Sequence, residues 1–218
     1  MKTILKVLVG SHAHGLATPE SDRDYRGVFI VPTSDLLKLG SSTKTVQWIE
    51  GHEDDISYEL GHFLYLATKS NPSILEVFKA PVVETTSEGE ALRNLFPYVW
   101  SSKGGFAAFD GYSLNQRKKF LSDEEQFSVR RWKYAVAYIR VLLQGISLLS
   151  TGDFSFEVGS DQSALRSIKN GEWKKGTIID FAESLREQLK LSFSRNPDKT
   201  ADLEVVNDFL LQLRKATW

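Results

Sequence analysis

The sequence has no cysteine among its 218 residues. That absence excludes disulfide bonds, catalytic thiolates and zinc sites with cysteine ligands. A strong charge of either sign is missing too: the formal net charge is −1, which argues against a protein that coats nucleic acid non-specifically but is compatible with a local basic patch. No apolar run approaches the roughly 20 residues that cross a bilayer. We therefore expect a soluble, cytoplasmic protein with no membrane partner.

The sequence falls into two regions that differ in predicted secondary structure. Hydrophobic residues make up 41% of the sequence, which is enough for a buried core. Up to about residue 58, short segments typical of β-strands are separated by Gly, Pro and Ser. These segments are Leu5–Val9, Tyr25–Val31, Thr45–Ile49 and Asp55–Tyr58.

Helical periodicity begins after the last of these segments. An apolar stripe starts at Leu60, and its helix should end before Pro72, because the residue before a proline disfavours helical geometry. From about residue 106 onward the spacing predicts helices alone, at 128–149, 178–189 and 203–213. We therefore predict an α+β fold, with a mixed sheet and helices in a domain of residues 1–98. A C-terminal helical bundle should follow over residues 99–218.

The stretch from Gly10 to Asp24 carries the chemistry. Gly10 and Ser11 directly follow an apolar strand, and such a turn offers backbone N–H groups and a hydroxyl to phosphate oxygens. Asp22 and Asp24 open the next predicted strand, where alternate side chains share a face and can share divalent cations. Asp-x-Asp alone is common in surface turns, but here it follows a Gly-Ser turn. The combination predicts a metal-dependent nucleotidyltransferase.

Transfer of a nucleotidyl group calls for two Mg²⁺ or Mn²⁺ ions beside the nucleoside triphosphate (NTP). A third carboxylate from a neighbouring strand would complete their ligands. Asp54 and Asp55 both lie just before the first strong helix, and adjacent side chains of a strand point to opposite faces. Only one of them can therefore reach the metals, and the pattern alone does not choose between them.

Cations and histidines near these motifs have a functional and an ordinary interpretation. Imidazole is a poor ligand for Mg²⁺, so His12 and His14 are expected to support the loop by hydrogen bonding. Arg26 either faces substrate from the Asp24 strand or orients the acids through a salt bridge. Lys133 and Arg140 form a basic stripe on a helix, which either lines the triphosphate cleft or is solvated surface.

The run from Gly10 to Val28, GSHAHGLATPESDRDYRGV, resembles the active-site signature of the DNA polymerase β-like nucleotidyltransferase superfamily. More narrowly, it resembles the predicted nucleotidyltransferases associated with RNA repair in bacteria and their phages. Segments 58–76, 111–119 and 133–152 resemble that branch as well. One departure is Ala137, which stands where relatives often carry a histidine on the long helix.

The resemblance implies roles for individual residues. Gly10 and Ser11 would grip the phosphates of the NTP, Asp22 and Asp24 would be metal ligands, and Asp54 falls where this branch keeps its third acid. Asp55 would then be a solvated neighbour. The implied acceptor is an RNA or tRNA end, with a protein side chain or a small molecule as the alternative. A catalytically inactive module that binds nucleotide is a third hypothesis, which the intact acids disfavour because clustered carboxylates repel one another.

Overall fold

The computed structural model describes residues 1–40, 46–49, 52–122, 129–154, 156 and 161–218. It divides into two compact units. The sheet unit comprises Met1–Trp100 together with Thr200–Trp218, and the helical unit comprises Ser101–Lys199. The division near residue 100 lies close to the predicted boundary at 98, but the last helix belongs to the sheet unit rather than to the helical one.

The sheet unit is built on a mixed sheet of five strands: β1 (Lys2–Val9), β2 (Asp24–Ile30), β3 (Val46–Ile49), β4 (His52–Glu59) and β5 (Val82–Thr85). Their order in the sheet is β3-β4-β2-β1-β5. Strand β2 is antiparallel to β1 and parallel to β4, whereas β3 and β5 pair antiparallel at the two edges. The mixed sheet followed by helices confirms the predicted α+β class.

The helices are divided between the two units. Those of the sheet unit are α1 (Gly10–Ala13), α2 (Thr33–Leu36), α3 (Leu60–Thr68), α4 (Pro72–Lys79), α5 (Ser87–Arg93) and, from the end of the chain, α10 (Leu203–Ala216). A short 3₁₀ turn covers Phe96–Tyr98. Those of the helical unit are α6 (Ser102–Ser122), α7 (Val129–Thr151), α8 (Gln162–Lys169) and α9 (Lys175–Arg195).

Helix α3 has the bounds that its sequence predicts. Its apolar stripe from Leu60 onward is buried, with each member at most 2% exposed. The helix ends at Thr68, before the proline, as expected. Asn71 then caps α4, since its side chain accepts hydrogen bonds from the first free backbone N–H groups, and Pro72 occupies the first turn, where no N–H is needed.

A buried ion pair explains why α10 belongs to the sheet unit. The carboxylate of Glu59 caps α3 by accepting the N–H of Gly61 at 2.8 Å, and Arg214 of α10 donates to its other oxygen at 2.6 Å. Glu59 is only 3% exposed, so its charge would be costly to bury without a cationic partner. The hydroxyl of Thr33 also donates to the carbonyl oxygen of Arg214 at 2.6 Å. These contacts tie the end of the chain to the sheet.

Helix α7 is the core helix of the helical unit and packs against α6, α8 and α9. Its segment Arg130–Thr151 is long and apolar enough, by length and composition only, to cross a membrane, which corrects the expectation that no such run occurs. However, 56% of its most apolar window is buried within the protein, as in a core helix. Arg186 of α9 and Asp110 of α6 add a two-pronged ion pair at 2.9 and 3.3 Å.

Candidate nucleotidyl-transfer site

The backbone at Gly10 fixes the geometry of the candidate site. Strand β1 ends at Val9, and Gly10 turns the chain into α1 with a positive φ of 66°. The carboxylate of Asp24 lies directly against its Cα: a Cβ added at Gly10 would overlap Oδ2 of Asp24 and lie 2.9 Å from Cγ. Glycine is therefore required here for two reasons: it adopts this backbone conformation without strain, and it leaves room for the carboxylate of Asp24.

The two acids of the Asp-x-Asp motif differ in setting. Asp24 is the first residue of β2, stands opposite Val9 in the antiparallel register and is half-buried. Asp22 is exposed and precedes the strand, so the expected alternation along one strand does not describe the pair. Asp24 nevertheless faces Gly10, and Asp22 lies only two residues before it in the sequence.

The loop between α1 and β2 is held by its own side chains. Nε2 of His12 donates to the carbonyl oxygen of Ser21 at 2.9 Å, and the hydroxyl of Ser21 accepts the N–H of Thr18 at 2.9 Å. The carbonyl oxygen of Ser11, which is itself half-buried, accepts the N–H of Leu16 at 2.9 Å. His12 therefore fastens the residue directly before Asp22, in line with the predicted supporting role.

His14 lies away from solvent and next to an acid of α4. It is 2% exposed, and its Nε2 lies 3.6 Å from Oε1 of Glu76 on α4. This contact joins the end of the motif turn to the helices that cover the sheet. The role of His14 is therefore structural.

Asp55 departs from its expected role as a solvated neighbour. It is 4% exposed, and its Oδ1 accepts the backbone N–H of Tyr25 at 2.7 Å. The parallel ladder between β2 and β4 begins one residue later, where Arg26 pairs with Ile56. The carboxylate thus takes the place of a strand carbonyl and holds the backbone directly after Asp24. Sequence reasoning missed this because it considered Asp55 only as a metal ligand or as a solvated neighbour.

The donor set has the chemistry of a magnesium site, although the described part of it is incomplete. Among the described side chains, no group of three or more histidine and acidic residues comes close enough to hold a metal ion. The side chain of Asp54, the predicted third acid, lies outside the described residues. Asp22 and Asp24 supply hard carboxylate oxygens, which suit Mg²⁺ or Mn²⁺, and Gly10 has no side chain that would displace the carboxylate of Asp24.

Two cations lie on β1 and β2 near the end of the motif: Arg26 shares a face of β2 with Asp24, whereas Lys6 lies on the opposite face, beside Tyr25. Arg26 is half-buried, and its Nη1 donates to the carbonyl oxygen of Tyr25 at 3.0 Å. Lys6 of β1 was not singled out from the sequence, and its Nζ lies 4.6 Å from the centre of the Tyr25 ring. A lone lysine in a strand carries no motif, and only the register of β1 with β2 brings it to this position.

The other two predicted cations lie in the helical unit. Lys133 is exposed on the first turns of α7. Arg140, two turns further along, is half-buried, and its Nη1 donates to Oε1 of Gln144 at 3.4 Å. That Lys133 and Arg140 contact the triphosphate remains a prediction.

Two comparisons with known proteins place the chain in a family. The chain is 32% identical over 90 residues to an uncharacterized 38.9 kDa protein from the nrdC–mobD intergenic region of Enterobacteria phage T4. The match covers 37% of this chain and 26% of the phage protein, so the chain spans about a quarter of that relative. A family model, RlaP, matches residues 1–171, which include the whole Gly10–Asp24 motif, β4 and helices α6, α7 and α8 of the helical unit. The chain therefore belongs to the RNA repair pathway DNA polymerase beta family, which points to a nucleotidyltransferase-like enzyme.

Proposed function

We propose that this protein is a metal-dependent nucleotidyltransferase that moves a nucleoside monophosphate from an NTP to an acceptor hydroxyl, with release of pyrophosphate. The observation that carries the proposal is the close packing of Asp24 against Gly10, which no residue with a side chain would permit. A catalytic carboxylate needs a fixed position beside the phosphates, and this contact joins the phosphate turn to the acid. An inactive binding module would not need that spacing.

The residues of the site fall into two groups: some would bind the substrate, and others position the residues that do so. Gly10 and Ser11 would present the turn to the phosphates, and Arg26 would add positive charge from the adjoining strand. Asp55 and His12 are positioning residues, because one holds the N–H of Tyr25 and the other holds the carbonyl oxygen of Ser21. Together they fix the backbone on both sides of Asp22 and Asp24.

Asp22, Asp24 and Asp54 would hold the metal ions. When bound, two Mg²⁺ or Mn²⁺ ions would neutralise the triphosphate, orient the attacking hydroxyl and stabilise the departing pyrophosphate. Because Asp24 packs directly against Cα of Gly10, its carboxylate is already oriented before any ion binds. The chain's own contribution is that fixed orientation.

An RNA end, including that of tRNA, is the acceptor that the family favours, since its description places it in an RNA repair pathway. The matched phage protein is consistent with a phage setting, in which the enzyme would act in the cytoplasm of the host. Nothing in the described residues favours a protein or a small molecule as acceptor over RNA.

Labelling identifies the acceptor. The protein is incubated with each α-³²P-labelled NTP, Mg²⁺ or Mn²⁺, and either total RNA or total protein from the same cells. We expect label in RNA, attached through a phosphodiester bond that nuclease removes. Label in protein would replace RNA by a protein acceptor, and no label in either fraction would contradict a macromolecular acceptor.

A further inference from the structure

The face of α7 that carries the two predicted cations continues to a buried carboxamide. The residues that share this face, at spacings of three and four, are Lys133, Ala137, Arg140 and Gln144. Their exposure falls along the helix: Lys133 is exposed, Ala137 and Arg140 are half-buried, and Gln144 is 5% exposed. The face therefore runs from exposed to buried surroundings, with Gln144 at its buried end.

The carboxamide of Gln144 is only partly satisfied. Its Oε1 accepts a hydrogen bond from Nη1 of Arg140 at 3.4 Å. Its Nε2 is buried and has no hydrogen-bond partner among the residues that the structure describes. A buried donor without an acceptor costs free energy, so an apolar side chain of the same shape would be more stable at this position. The carboxamide therefore indicates a ligand that accepts the hydrogen bond.

The chemistry of the two side chains selects that ligand. Because Oε1 of Gln144 faces Arg140, the amide has only donors left to offer, and a guanidinium also has donors alone. Nε2 and Oε1 belong to one planar amide, so Nε2 lies within about 6 Å of Nη1. One oxygen between them accepts from both at ordinary hydrogen-bond lengths. An oxygen that only accepts and suits a guanidinium is typical of a phosphate.

We propose that Gln144 binds the triphosphate of the NTP directly, by donating from Nε2 to a phosphate oxygen that also meets the guanidinium of Arg140. This inference rests on the proposed function and adds a neutral donor to the two cations that are predicted to contact the triphosphate. Ala137, which stands where relatives often carry a histidine, has no side-chain donor to add to this face. The ribose and the base have no part in the contact.

The test measures binding of inorganic tripolyphosphate, and of each of the four NTPs, to the full chain by isothermal titration calorimetry, with Mg²⁺ and without RNA. Tripolyphosphate supplies the phosphates without ribose or base, and transfer is not required. The test variant is Gln144→Met, which keeps the length of the side chain and removes the amide. It should bind both kinds of ligand about ten- to a hundredfold more weakly, the effect of losing a hydrogen bond to a charged group. Without ligand it should melt about 2–4 °C higher, because the unpaired donor is gone.

Tyr138→Phe is the matched control variant. Tyr138 is fully buried, and its hydroxyl likewise has no hydrogen-bond partner in the described part of the chain. It lies two positions before Arg140 and hence on the opposite side of α7. The variant therefore removes an unpaired polar atom from the same helix, away from the proposed contact. We expect a similar rise in melting temperature, with wild-type affinity for tripolyphosphate and NTP.

A double variant separates direct contact from an effect through Arg140. Gln144 accepts a hydrogen bond from Arg140, so its replacement also disturbs the guanidinium. In an Arg140→Ala background that disturbance no longer matters, and only the contact of Nε2 with phosphate is left to lose. Gln144→Met should then weaken tripolyphosphate binding by about a further tenfold. No further loss would make Gln144 a positioning residue for Arg140 and would overturn the direct contact.

Each remaining outcome also decides the proposal. Weaker binding of tripolyphosphate and NTP by Gln144→Met, but not by Tyr138→Phe, supports it, whether or not the protein transfers a nucleotide to RNA. Wild-type affinity of the folded Gln144→Met variant for tripolyphosphate would overturn it, as would no binding of tripolyphosphate by the wild type. A loss confined to NTP would assign the amide to the ribose or base instead. Equal losses in both variants, or a lower melting temperature of Gln144→Met, would show that the amide supports packing and would overturn the proposal.

Discussion

Replacement of Gly10 by alanine tests the geometry at the centre of the site. The new side chain faces two penalties: a φ of +66°, and overlap with the carboxylate of Asp24. The backbone penalty is about 1–2 kcal/mol for a residue with a Cβ. It should lower the melting temperature by about 2–8 °C in a chain of this size. The overlap forces Asp24 to move by an ångström or more, and a misplacement of that size costs about a hundredfold in rate.

Gly40→Ala separates the two penalties. Gly40 has a φ of +73°, but a Cβ there would meet no atom of the described residues within 4 Å. It should therefore lose a similar amount of stability and keep its transfer rate within about twofold, because only the backbone penalty remains. The assay is the initial rate of NMP transfer at saturating NTP, alongside a thermal melt of each variant. If the folded Gly10→Ala variant transferred NMP at the wild-type rate, transfer would not depend on the close packing of Asp24 against Gly10, and the argument would be refuted.

Three further predictions concern individual side chains. Asp54→Asn should reduce transfer on the order of a thousandfold without loss of stability. Asp55→Ala should instead lower the free energy of unfolding by about 1–3 kcal/mol in a urea melt, because it leaves a buried N–H unpaired. The reverse pattern would make Asp55 the third metal ligand. Lys133→Ala and Arg140→Ala should each weaken NTP binding about ten- to a hundredfold in a titration, because each removes a cation from the triphosphate. A change of less than about threefold in both variants would show that the two side chains are solvated surface. Arg214→Met should lower the free energy of unfolding by about 3–5 kcal/mol, because it leaves the buried carboxylate of Glu59 unpaired. Unchanged stability would show that this ion pair does not stabilise the packing of α10 in the sheet unit.

Local patterns predicted the parts of the fold that depend on neighbouring residues. The stripe that begins at Leu60 and the proline at position 72 determine α3 and its end within a few residues. Gly10 and Asp24 were identified together because a turn and an acid at that spacing have few other uses. In both cases the signal lies within about 15 residues of sequence.

The features that escaped prediction depend on residues far apart in sequence. Nothing near Arg214 shows that Glu59, 155 positions earlier, needs its charge, so the return of α10 to the sheet unit could not be anticipated. Asp55 is similar, because the N–H that it accepts lies 30 residues earlier and becomes available only where the β2–β4 ladder begins. Strand β5, with all four residues exposed, offers no buried face from which an alternating pattern could be recognised.

The most direct measurement of the central claim is pyrophosphate release from NTP in the presence of Mg²⁺ and RNA by three proteins: the wild type, Asp24→Asn and Asp208→Asn. Asp208 is exposed on α10 of the same unit, so its variant makes the same chemical change away from Gly10. The account predicts release by the wild type and Asp208→Asn at similar rates. It predicts a loss on the order of a thousandfold or more in Asp24→Asn. Release by Asp24→Asn at the wild-type rate, in a folded protein, would contradict it.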